Sequence, residues 1–103
     1  MSTSKGVFPI LHQHPYYTVR REIDYFNFQQ KKIEDEHWVV LYEDKLVTEE
    51  KEYPIHQVFD LSYKMLSNRY GFFYLHTNKG VVTLHIKESP AEFIKKFRTV
   101  ERK

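Results

Sequence analysis

A chain of 103 residues suits one domain with one core, and 41% hydrophobic and 17% aromatic residues can fill that core despite 29% charge. A net charge of +2 is too weak to imply nucleic-acid binding by itself. The absence of cysteine excludes disulfides, Cys-based zinc sites and a thiol nucleophile, and it fits a cytoplasmic location. Eight Tyr and eight Phe favour β structure, where aromatic rings pack well on a pleated surface.

Residues 1–15 combine small and polar residues with two prolines and no clear period, which reads as a mobile or loosely docked arm before a single domain at 16–103. The apolar run in MSTSKGVFPILHQHP is too short for a signal sequence or a membrane span. In YYTVRREIDYFNF (16–28), Val19, Ile23 and Phe26 fit a helical stripe, but the crowd of aromatic and β-branched residues favours a strand. The polar QQKKIEDE (29–36) closes that element. HWVVLYEDKLVTEEKEYPI (37–55) reads as two strands around a Glu43-Asp44-Lys45 turn, and HQVFDLSYKM (56–65) as a further strand with Pro54 at or before its start.

After a turn at 66–71, FFYLHTNKGVVTLHI reads as a hairpin with two open registers. Turn chemistry favours a three-residue loop with Gly80 in the left-handed position. The apolar pattern favours a two-residue Asn78-Lys79 loop, which gathers Phe73, Leu75, Val82, Leu84 and Ile86 on one face. In the first register Phe73 and Leu75 need cover from another segment or a second chain. In the second, His76 and His85 share a face but stand roughly 13 Å apart along the strands. Neither register lets them share an ion, because zinc needs both nitrogens within about 2.1 Å.

SPAEFIKKFRTVERK is an amphipathic helix with Ser89 as N-cap, Pro90 in the first helical position and Glu92 completing a capping box. Phe93, Ile94, Phe97 and Val100 form its apolar face. Its basic residues, Lys95, Lys96, Arg98, Arg102 and Lys103, complement the negative end of the helix dipole.

His12-Gln13-His14 has a spacing a metal accepts, without a third ligand nearby, and reads as part of the arm. His37 and His56 mark strand ends. The carboxylates fall in loop-like stretches, and the chain carries no nucleophilic serine motif, P-loop or dinucleotide glycine pattern. These readings point away from an enzyme and from any cofactor or metal.

From Trp38 onward the order of elements resembles the pleckstrin-homology (PH) superfold. The carrying segments are the Val40-Leu41-Tyr42-Glu43-Asp44-Lys45-Leu46 hairpin and Tyr53-Pro54-Ile55-His56-Gln57-Val58, followed by a strand pair and a capping helix. The chain is most similar to compact PH-like domains of bacterial proteins of unassigned function. It lacks the helix tryptophan common in eukaryotic members, where Phe93 and Phe97 stand instead, and it lacks a clear phosphoinositide signature across the first hairpin. The resemblance implies a mainly β (α+β) fold, a bent antiparallel sheet or partly open barrel capped by the C-terminal helix.

The function expected on this basis is a non-enzymatic interaction module that binds a protein partner, or itself as a symmetric dimer, through a sheet face or exposed edge. Phe26, Phe28, Phe73 and Leu75 are the candidate interface, because the aromatic surplus exceeds one small core. The alternative is an anionic ligand, a lipid headgroup or nucleic acid, held by Arg20, Arg21, Lys31 and Lys32, with peripheral membrane contact.

Overall fold

The computed structural model describes residues 9–100. Within them the protein is mainly β, with seven strands in one antiparallel sheet and one C-terminal helix. In chain order the strands are β1 (His12–Asp24), β2 (Gln29–Leu41), β3 (Lys45–Val47), β4 (Glu52–Pro54), β5 (Val58–Ser67), β6 (Tyr70–Thr77) and β7 (Gly80–Ile86). A single 3-10 turn, Ile55–Gln57, joins β4 to β5, and helix α1 spans Ala91–Thr99. The spatial order is β4-β3-β2-β1-β7-β6-β5, so the sheet ends at β4 on one side and β5 on the other and does not close.

The sheet has two halves. The β1–β2 hairpin is paired continuously from His12↔Leu41 to Asp24↔Gln29, and β5, β6 and β7 form a meander. One bridge, Tyr17↔His85, joins the halves. The β6–β7 register is that of the two-residue loop, with Thr77↔Gly80, His76↔Val81 and Phe72↔His85. The apolar pattern therefore prevails over the turn signal, because a one-residue slip would send every core side chain to the solvent face. Gly80 still takes a positive φ of 121°, but at the start of β7.

The core lies between one face of the sheet and α1. Phe73, Leu75, Leu61, Val39, Leu41 and Ile86 are completely buried, as are Phe93 and Phe97 of the helix. Phe73 meets Phe93 edge to face, with ring centroids 5.5 Å apart and planes at 83°. Such a pair adds about 0.5–1.5 kcal/mol beyond the area it buries. Phe73 and Leu75, candidates for an interface, are thus covered by this chain's own helix and β1 and have no surface to offer a second chain.

Three sequence expectations are corrected. Residues 12–15 are not arm but the first residues of β1, and the Leu11 amide donates to the Leu41 carbonyl at 2.8 Å; residues 1–8 lie outside the described part. The polar segment 29–36 does not close an element but forms most of β2, while 25–28 is the turn. Glu92 does not complete a capping box. Ser89 Oγ accepts the Ala91 amide at 3.2 Å, but Pro90, at ψ 30°, stands ahead of the helix, which leaves Glu92 one place short of the reciprocal position.

His12 and His14 are structural. The His12 ring packs edge-on to Phe93, and the His14 ring packs edge-on to Phe73. His14 is 6% exposed, and its Nε2–H donates to the Glu88 carbonyl at 3.2 Å, since a carbonyl can only accept. Burial pushes the imidazole pKa down, more than the carbonyl raises it. The fold therefore holds neutral His14, whereas the unfolded chain takes up a proton near pH 6.5. Stability is expected to fall as pH drops below about 6.5, and His14→Gln, which keeps a donor but does not titrate, should flatten that slope in urea titrations.

Gly71 is required by close approach. A Cβ there would meet the Lys64 carbonyl oxygen at 2.6 Å and Met65 Sδ at 2.5 Å, beside the β5 irregularity between Met65 and Ser67. Because the first contact is backbone, β5 itself must move. Gly71→Ala should cost about 1–3 kcal/mol in urea unfolding and speed amide exchange along β5.

Candidate functional site

Two surfaces remain after the core is assembled. The first is the outer edge of β5. This strand is ten residues long and ends the sheet. The opposite edge, β4, has only three residues and ends in Pro54, the usual way to blunt an edge. On β5 the devices are weaker: irregularities near Phe59 and Leu66, and Lys64. No described strand pairs with its outer edge.

Helix α1 does not seal that edge. It buries Phe93, Ile94 and Phe97 and leaves a groove of about 590 Å³ against β5. Leu61, Tyr63, Ala91 and Ile94 form the apolar floor and walls, with Lys95 and Arg98 along the helix side. Arg98 reaches Asp60 at 3.5 Å across one end, where both side chains are more than half exposed. The groove thus offers backbone hydrogen-bonding groups on one wall, an apolar floor, and positive charge on the other wall.

The second surface is the distal part of the β1–β2 hairpin. Beyond Tyr17 the hairpin leaves the sheet and reaches about 23 Å further to its turn. The turn, 25–28, is held by Asp24, whose carboxylate accepts the Phe26 amide at 3.0 Å and the Asn27 side-chain amide at 2.8 Å. These bonds hold the Asp24 carboxyl pKa below the usual range. Tyr25, Phe26 and Phe28 are 76%, 95% and 88% exposed at the tip. Phe28 takes a φ of 54°, a conformation that costs a residue with a Cβ about 1 kcal/mol or more relative to glycine. Phe26 and Phe28 were expected together on one face of a strand and instead occupy the turn, since pairing stops at Asp24↔Gln29.

The basic cluster is divided by strand alternation, because neighbouring residues point to opposite faces. Arg21 and Lys32 stand directly opposite each other on one face, with Val19, Tyr17 and Glu34. Arg20 and Lys31 point to the other. Arg20 binds Asp35 at 3.0 Å and Glu22 at 2.6 Å, so it is already neutralised. Arg21, Lys31 and Lys32 form no ion pair among the described residues.

Arg21 and Lys32 border an open cleft of about 570 Å³ between the hairpin and the ends of β6 and β7. Its far wall holds Tyr70 and His85, with the Tyr70 hydroxyl 3.3 Å from His85 Nδ1. Lys87 joins this wall, paired with Glu34 and lying 4.4 Å over the Tyr17 ring. The Glu34 partnership raises the Lys87 pKa. Sequence reasoning missed Tyr70, His85 and Lys87 here, because only the Tyr17↔His85 bridge brings them to the hairpin.

The other histidines serve neighbouring hydroxyls. His76 Nε2 is 2.7 Å from Ser62 Oγ, and His37 Nε2 is 2.8 Å from Thr18 Oγ1. His37 lies within β2 rather than at its end, and His56 in the 3-10 turn.

Because glycine accepts a positive φ without penalty, Phe28→Gly should raise stability by about 1 kcal/mol, read as a shift in the urea midpoint. A loss of stability would mean that the ring packs on the fold.

No protein-family model and no curated protein sequence matches this chain.

Proposed function

We propose that the protein is a PH-like interaction module, not an enzyme, and that it binds an extended peptide segment of a partner protein along β5. The strand order supports the PH-like reading: four strands, then a three-stranded meander, then a helix packed on the core. The observation that carries the binding reading is the groove between the β5 edge and α1. An added strand would take up main-chain hydrogen bonds on β5, which supply affinity, while alternate side chains enter the groove and supply selectivity.

The lining defines the occupant. Leu61, Ile94 and Ala91 accept an apolar side chain, and Tyr63 flanks it. Lys95 and Arg98 favour an acidic residue next to it. The fitting segment is therefore extended, apolar at one position and acidic nearby.

Panning a random-peptide display library against the chain should enrich such segments. Ala91→Trp fills the groove from an exposed position and should weaken the selected peptides by about tenfold or more, that is, about 1.4 kcal/mol or more. The bound peptide should slow exchange of the amides of residues 61–67 on the outer edge of β5. Peptides that bind Ala91→Trp as well as the parent, or that protect amides elsewhere, would rule the groove out.

A further inference from the structure

The outer face of the β1–β2 hairpin carries its charge in two bands. Strand alternation puts Tyr17, Val19, Arg21 and Ile23 of β1 on that face, opposite Glu36, Glu34, Lys32 and Gln30 of β2. Trp38 shares the face, since Val39 next to it turns into the core. The band nearer the root is negative, Glu34 and Glu36. The band nearer the turn is positive, Arg21 and Lys32. The two bands are two residues apart, about 7 Å along the strands.

Neither band is balanced within the chain. Arg21 and Lys32 stand directly opposite each other and form no ion pair among the described residues. Like charges so placed destabilise a hairpin. Glu36 forms no ion pair either, and its carboxylate accepts the Tyr17 hydroxyl at 3.2 Å. Glu34 has Lys87 on one side only.

A second hairpin laid end for end on this face supplies what each band lacks. A two-fold axis at the level of Arg20↔Ile33 sets Lys32 on the partner's Glu34, and by symmetry Glu34 on the partner's Lys32. Arg21 falls on the partner's Val19, whose cross-strand neighbour is that same Glu34. Gln30 meets the partner's Glu36 with an amide N–H to donate. Moving the axis by one residue stacks like on like: Lys32 on Lys32 toward the turn, or Glu34 on Glu34 toward the root. The charges thus select one register.

The apolar residues fit the same register. Ile23 lies over the partner's Tyr17, and the turn at 25–28 comes level with the partner's Pro15 and Trp38. Tyr25, Phe26 and Phe28, almost bare in one chain, gain cover there, as do the half-exposed Val19, Ile23 and Trp38. The open cleft of about 570 Å³ beside Tyr70 and His85 gives the partner's hairpin room. At 150–250 Å² for a whole ring, covering these groups comes near the roughly 800 Å² per partner of a specific interface.

We propose that two copies of this chain pair through the outer faces of their β1–β2 hairpins, antiparallel, with Lys32 on the partner's Glu34 and the aromatic turn against the partner's Trp38. Neither β5 nor α1 takes part, so the dimer presents two free peptide grooves.

The test is sedimentation equilibrium of the full chain. The parent should be a dimer near about 100 µM and dissociate toward about 1 µM. Lys32→Glu alone and Glu34→Lys alone each set like charges together at both symmetric contacts, and each should raise the dissociation constant about tenfold or more. An equimolar mixture of the two variants should pair again, because both contacts are then of opposite charge. Phe28→Gly should weaken pairing about tenfold or more while the dilute monomer keeps the gain in stability expected above, which separates loss of pairing from loss of fold. Trp38 is the chain's one tryptophan, so its emission should shift to the blue and resist acrylamide as the dimer forms. Four results would each overturn the proposal: a parent that stays monomeric at about 1 mM; unchanged pairing in both charge variants; two weakened variants whose mixture does not pair; or a dimer that slows exchange of amides 61–67 and leaves Trp38 open to quencher, which would make the β5 edge the interface.

Discussion

The edge-to-face contact between Phe73 and Phe93 ties the meander to the helix that follows it. Phe73 belongs to the central strand of the meander and Phe93 to the helix that follows it. His14 and His12 of β1 close against the same two rings. One aromatic cluster thus anchors meander, helix and first strand. The groove beside β5 lies where α1, fixed by its buried face, meets that strand, with the exposed Arg98–Asp60 pair across one end.

That packing also sets the polarity of the rest. With Phe73, Leu75, Leu84 and Ile86 turned inward, Phe72, Tyr74, His76 and His85 must turn outward. There they shield one another: Phe72 lies near Tyr70, Tyr74 and His85, with centroids 5.3–6.2 Å apart. Much of the aromatic surplus is spent on this outer stripe and on the hairpin tip, and neither belongs to the core.

The parts of the fold legible in the sequence are those with one wet and one dry face. Phe73 to Ile86 alternate cleanly, and the pattern chose the register against the turn chemistry. Phe93, Ile94 and Phe97 marked the helix for the same reason. The distal hairpin was illegible because both of its faces are in water, so Thr18 to Asp24 and Gln29 to Glu36 show no period of two in hydrophobicity. Its turn hides as well: it has neither glycine nor proline, relying on Asp24 as a side-chain acceptor and on a positive φ at Phe28. Of the candidate site, the exposed aromatics and cations could be named from sequence, but the groove and the cleft wall depend on contacts between residues far apart in the chain. The division of the basic cluster was within reach, since adjacent residues on any strand face opposite ways.

The single Tyr17↔His85 bridge has a mechanical meaning. Along the hairpin, β1 and β2 are paired at every position, so a sideways load on the tip is shared by many hydrogen bonds at once. At the root, the same load passes to the meander through one backbone bridge, the Lys87 amine over the Tyr17 ring with its pairing to Glu34, and, further back, the His14 ring on Phe73. Compliance is therefore concentrated at the root. The hairpin behaves as a stiff lever on a soft pivot, and a force applied at Phe26 rotates the lever about Tyr17 before it unzips a strand.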